Sequence, residues 1–160
     1  MTENQTTQTD HQRTRRAVLG SIGTTLLAST LAGCLSGDEQ SEEPESIDAW
    51  LSDTDSFDGV TDRTGASSVV VDVGVSGNNG SNGFTPVAIA ISPDTTIQWN
   101  WVDGYHNVVD TADAFDSGEP ESDATFEHTF TEPGTYTYYC SPHRQMGMKG
   151  AVVVRSEGSQ

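Results

Sequence analysis

From Cys140 to Met148 one short stretch, Cys-Ser-Pro-His-Arg-Gln-Met-Gly-Met, carries a thiol, an imidazole at His143 and a thioether at Met148. A second imidazole, His106, stands upstream beside Asn107. One thiolate, two imidazole nitrogens and a weak, distant thioether form the ligand set of a blue-copper electron-transfer site. Cys-x-x-His lets thiolate and imidazole reach one ion from a tight turn, and the further spacing to Met148 lets a soft sulfur approach axially. Such a set suits Cu(I) and Cu(II) alike, so electron exchange needs little rearrangement. Other metals fit less well. Structural zinc takes four strong ligands, among which a thioether is a poor choice. An iron–sulfur cluster needs more cysteines than Cys34 and Cys140. Catalytic copper needs further histidines, and past residue 33 there are only His106, His128 and His143. The donor set therefore points to an electron carrier and away from an oxidase or reductase; no enzymatic chemistry is expected.

The segments that must position these donors read as β-structure. Val69, Val71, Val73 and Val75 alternate with other residues at period two, Val87–Ile91 forms a second apolar run, and Ile97, Trp99 and Trp101 share one face of 96–101. Phe126, His128 and Phe130 alternate next, Thr135–Tyr139 leads into Cys140, and 151–154 closes the domain. Gly77–Gly83 reads as a turn or loop, and 47–63 as a short strand or cap with a turn at Asp58-Gly59. Short strands separated by Gly, Pro and Asn turns predict an all-β fold, a Greek-key β-sandwich. Loops of a sandwich gather at its two ends, so the His106 loop and the Cys140–Met148 loop can meet at one pole.

The start of the chain carries adjacent arginines, Arg15 and Arg16, a mildly apolar run over 17–31, and Leu31-Ala32-Gly33-Cys34. A charged start, a short apolar middle and a small-residue exit describe an export signal over residues 1–33. The arginine pair resembles a twin-arginine signal and the Cys34 ending a lipobox, whose cysteine is lipidated. An uncleaved membrane helix is disfavoured, because the run is diluted by Ser, Thr and Gly. With Cys34 assigned to lipid, Cys140 has no partner in an oxidising compartment, and a metal is the natural occupant of its thiolate. The acidic stretch 34–47 is a flexible linker, residues 48–156 form the folded domain and 157–160 a tail. The net charge of −17 arises from 24 acids against 7 Lys and Arg, spread along the whole chain. This repels nucleic acid and resembles the surfaces of halophilic proteins, where carboxylates keep the molecule hydrated.

Gly104-Tyr105-His106-Asn107-Val108-Val109, Gly134 to His143 and Gly147-Met148-Lys149-Gly150 resemble the plastocyanin and azurin-like cupredoxins. Asp58–Gly65, the acidic surface and the leader resemble most the halocyanins, membrane-tethered blue-copper proteins of haloarchaea. The resemblance spans roughly residues 48 to 155. It implies one type-1 copper ligated by His106, Cys140, His143 and Met148, with the edge of His143 as electron port. By the same resemblance, Asn107 braces the ligand loop by hydrogen bonding. Pro142 has no N–H to donate towards the sulfur. Membrane redox complexes would then be electron donor and acceptor to a lipid-anchored monomer at the extracytoplasmic face of the cell membrane. A copper buffer or chaperone is the alternative, and a structural sandwich lipoprotein a more distant one.

Blander readings attach to the remaining features. Met146 lies two residues short of the axial spacing and adds apolar surface near the port, and His128 is a structural histidine within a strand. Trp99 and Trp101 are core residues before they are electron relays. The acidic run 119–123 is a solvated loop, and Asn79-Gly80-Ser81 is an exposed sequon.

Overall fold

Period-two burial is clearest in strand β5 (Thr95–Trp101), where Ile97, Trp99 and Trp101 are buried and Thr96, Gln98 and Asn100 half-buried. A computed structural model describes residues 46–156. The predicted leader, Cys34, the linker up to residue 45 and the tail 157–160 lie outside the described residues. In chain order the elements are helix α1 (Ile47–Trp50), β1 (Thr61–Asp62), β2 (Ser68–Gly77), β3 (Gly80–Thr85), β4 (Ala88–Ile91), β5, β6 (Val109–Asp110), β7 (Thr125–Phe130), β8 (Gly134–Tyr139), a 3-10 helix (Ser141–Met146) and β9 (Lys149–Val154).

The strands form two mixed sheets, ordered β1-β4-β9-β8-β6 and β3-β2-β5-β7. β4 runs parallel to β1 and β9, and β2 parallel to β5; the other pairs are antiparallel. Their inner faces share one core: Val71, Val73, Ile97 and Trp99 meet Ile89, Tyr138 and Val152. Trp99 is its hub, with the rings of Phe115, Phe126, Phe130 and Tyr138 at centroid separations of 5.2 to 6.3 Å. The predicted all-β sandwich is therefore the observed fold.

Two local expectations are narrowed. The turn or loop expected over 77–83 has strand at its flanks, with β3 starting at Gly80, and is confined to Asn78 and Asn79, both with positive φ (51° and 63°). This is the geometry that two-residue hairpins demand. The strand carries little apolar patterning because backbone pairing with β2 holds it. The alternation of β2 also stops early. Pairing slips between Val73 and Val75, leaving Val75 half-buried. The cause is Gly74, at φ 88°, where any Cβ would run into the backbone carbonyl of Asp103. The bulge lets the loop ahead of His106 lie directly on β2. Before β1, the expected cap is a short helix whose N-cap Ser46 accepts from Ala49 N–H, and its Trp50 and Leu51 pack on Val87, Ala88 and Ala151.

Candidate metal centre

His106 follows β5 after four residues and is held by its backbone. Its N–H donates to the carbonyl of Glu121 and its carbonyl accepts from Glu121 N–H, both at 2.9 Å, while Trp101 Nε1–H donates to the same carbonyl at 2.8 Å. The acidic run expected to be a solvated loop thus clamps His106 through main-chain atoms, although the side chain of Glu121 is exposed. Gly104, at φ 83°, lies so close under the imidazole that a Cβ would collide with Nε2. These contacts leave the ring 2% exposed, with Nδ1 directed at the second loop.

That second loop begins where β8 ends. Cys140 N–H donates to the Met148 carbonyl at 3.1 Å, His143 N–H to the Cys140 carbonyl at 3.1 Å, and Met148 N–H to the His143 carbonyl at 3.2 Å. Pro142 stands in the first turn of the 3-10 helix, where its missing N–H costs nothing, and Gly147 ends the helix in the left-handed conformation at φ 94°. Asn107 links the two loops. Its Oδ1 accepts from Ser141 N–H at 2.8 Å, and its Nδ2 donates to the Gly118 carbonyl at 2.9 Å and Ser141 Oγ at 3.1 Å.

The three strong donors converge. His106 Nδ1 and His143 Nδ1 are 3.1 Å apart, and Cys140 Sγ lies 3.5 Å from the first and 3.4 Å from the second. Transition-metal bonds to imidazole and thiolate of about 2.0 and 2.3 Å would need donor–donor edges of about 3.5 Å between the nitrogens and about 3.7 Å from nitrogen to sulfur, so a small expansion separates this triangle from a ligating one. Cys140 and His106 are buried, His143 is half-buried, and Met148 is fully buried in the same core cluster as Cys140. The residues fit copper: two imidazole nitrogens and a thiol point at one another, and no carboxylate of the described residues joins the group.

Burial governs the ionisation of these groups. Desolvation, aided by the neighbouring His143, lowers the pKa of His106, against the pull of the Ser81 carbonyl and Asp103. That carbonyl makes no well-formed hydrogen bond to Nε2, which stays buried without a partner among the described residues. Burial pushes the Cys140 thiol up, opposed by the backbone N–H groups of Asn107 and His143. The site thus favours neutral imidazole over imidazolium, the form that binds a metal, whereas the thiol needs a cation to ionise it.

His128 is not brought to this pole. It lies on β7 between the rings of Phe115 (5.1 Å) and Phe130 (4.8 Å), and burial lowers its pKa against the attraction of Asp110. Met146 is exposed, close to the half-buried His143 in the helix, and Tyr105 is exposed on the opposite loop. Sequence reasoning missed the backbone clamp of Glu121, the Trp101 bond and the role of Ser141. None leaves a signal, because main-chain partners are chosen by position rather than by residue type.

Comparison with known proteins accords with this geometry. The sequence model for copper binding proteins of the plastocyanin/azurin family matches residues 71–155. Halocyanin of Natronomonas pharaonis is 42% identical over 88% of this chain and 96% of its own length. Chloroplastic plastocyanin of Physcomitrium patens is 35% identical over 56% of this chain and 60% of its own. The oxidised plastocyanin structure of Dryopteris crassirhizoma has 28% identity and a TM-score of 0.46, covering 54% of this chain and all of that one.

Proposed function

Since the chain belongs to the plastocyanin/azurin family of copper-binding proteins, we propose that it is a one-electron carrier whose single type-1 copper is held by His106, Cys140, His143 and Met148. The observation that carries this reading is the convergence of the two Nδ1 atoms and Sγ of Cys140 within 3.5 Å of one another. Bound copper supplies a Cu(II)/Cu(I) couple that transfers single electrons without bond-making on a substrate. The residues do the rest. His106 and His143 would hold the copper through ring nitrogens, Cys140 through its sulfur as thiolate, and Met148 through a weaker thioether. Asn107 and the Glu121 clamp fix both loops, so the donors keep their places in either oxidation state. His143 is the least buried donor, and its edge is the port through which electrons pass.

The leader supports a further step: attachment at Cys34 to the extracytoplasmic face of the membrane, with the acidic stretch ahead of Ser46 giving reach to membrane redox complexes. Among the described residues no helix is long and apolar enough to cross a membrane. The test is the visible and paramagnetic-resonance spectrum of the copper-loaded protein, with Cys140→Ser beside it. An intense thiolate-to-copper band lost in the variant, and rapid reversible reduction, are expected. A colourless, redox-sluggish copper complex would instead mean a buffer or chaperone.

A further inference from the structure

The helix that carries His143 has little to rest on. It buries none of its own residues, and 3-10 hydrogen bonds are poorer than α-helical ones. Its outer side is fixed by a segment ahead of the residues shared with the family model, which begin at 71. Trp50 of α1 donates from Nε1 to the Gly150 carbonyl at 3.1 Å. The Arg144 guanidinium stacks between two rings, 4.3 Å from the Tyr139 centroid and 5.4 Å from that of Trp50. Lys149, the single lysine of the sequence, lies 4.9 Å over the Trp50 ring, pairs with Asp53 at 2.6 Å and donates to the Trp50 carbonyl at 3.4 Å. The Asp53 carbonyl abuts Gly147, where a Cβ would collide with it. Asp55 closes the segment, its N–H donating to Asn78 Oδ1 at 2.8 Å and its Oδ2 accepting from Asn78 N–H at 2.7 Å.

Apart from the packing of Trp50 and Leu51 on Val87 and Ala88, the contacts of this segment land on the ligand loop, on its continuation into β9, or on the hairpin turn beside it. We propose that residues 46–55 form a strap that positions the ligand loop, with Trp50 and Asp53 as positioning residues for the metal. The proposal rests on the copper reading above in so far as it concerns metal affinity. The alternative role, mere reinforcement of the domain, would spread its effect evenly through both sheets. A strap acts locally: it restrains Gly147, Met148 and Lys149 and so narrows the range of positions open to Met148 and His143.

Amide hydrogen exchange of the copper-free protein separates the two. In Trp50→Ala the amides of Gly147, Met148 and Lys149 should lose about tenfold more protection than those of Ile97 and Trp99 in β5. Copper affinity, measured by competition with a chelator, should fall about tenfold, with a shifted thiolate band. Trp50→Phe, which keeps a ring but loses the bond to Gly150, should fall between. Should Trp50→Ala not fold, Asp53→Ala is read in the same way, since its side chain is half exposed and its loss leaves the core intact. Equal loss of protection at both sets of amides, or none at the loop, overturns the strap. A wild-type protein without a thiolate band would sink the copper reading instead, and the exchange comparison would still decide the strap.

Discussion

Replacement of Asn107 by alanine is the most direct probe of how the two ligand loops are joined. The side chain is buried (4% exposed) and makes three hydrogen bonds, two of them to Ser141 at the start of the ligand helix. At a net 0.5–1.5 kcal/mol each, their loss costs about 2–4 kcal/mol. For a domain of this size roughly 4 °C accompanies each kcal/mol, so the melting midpoint of the copper-free protein should drop by about 8–16 °C. Copper affinity should fall about 10–100-fold, as for other residues that orient metal ligands. Asn107→Asp retains an acceptor for Ser141 N–H but loses both donated bonds, and should be intermediate in stability. Circular-dichroism melts and chelator competition measure both quantities. An alanine variant melting within about 2 °C of wild type with unchanged copper affinity would refute the reasoning, because the loops would then be held by something other than Asn107.

Gly104→Ala should cost about 1–3 kcal/mol in backbone strain and also impair copper retention, since the methyl group would displace His106. Gly65→Ala has the same φ of 83° but open space around it, so it should lose stability and keep its metal. Copper binding at neutral pH should release about one proton from the Cys140 thiol, because burial holds that thiol protonated in the copper-free site. Calorimetric titration in buffers of different ionisation enthalpy reads that number, and its absence would show that the thiol does not bind as thiolate. His128 titrates lower in the folded than in the unfolded chain, because burial disfavours its charge. Between those two pKa values the unfolded state holds more protons, so its contribution is fully present above about pH 6.5 and is lost as pH falls towards the folded value. His128→Phe should flatten that decline in urea melts of the copper-loaded protein across pH 5 to 7.

The parts of the fold legible in the sequence were those where side-chain chemistry alone sets the structure. In β5 the buried face reads directly as Ile97, Trp99 and Trp101, because each residue contributes to the core on its own account. In β2 the same rule works from Val69 to Val73 and then fails at Gly74, where the decisive contact is with the Asp103 carbonyl, 29 residues on. β3 was illegible because backbone bonds to β2 hold it, and backbone groups are the same at every position. The acidic run 119–123 is the exposed loop expected of it, but its link to His106 was illegible for the same reason, being made by the main chain of Glu121.

The donor types at His106, Cys140, His143 and Met148 were determined by the sequence, because a thiol, an imidazole and a thioether keep their affinities in any fold. Their spacing also placed three of the four on one loop. Tertiary structure alone decided that His106 Nδ1 comes within 3.5 Å of Cys140 Sγ, that Asn107 joins the two loops, and that Trp50 and Asp53 bond to Gly150 and Lys149 from about 100 residues away in sequence. Such contacts depend on sheet register and on backbone atoms common to every residue, so no residue type announces them. Chemistry is written locally in the chain, whereas the rigidity that an electron carrier needs arises only when distant segments pack.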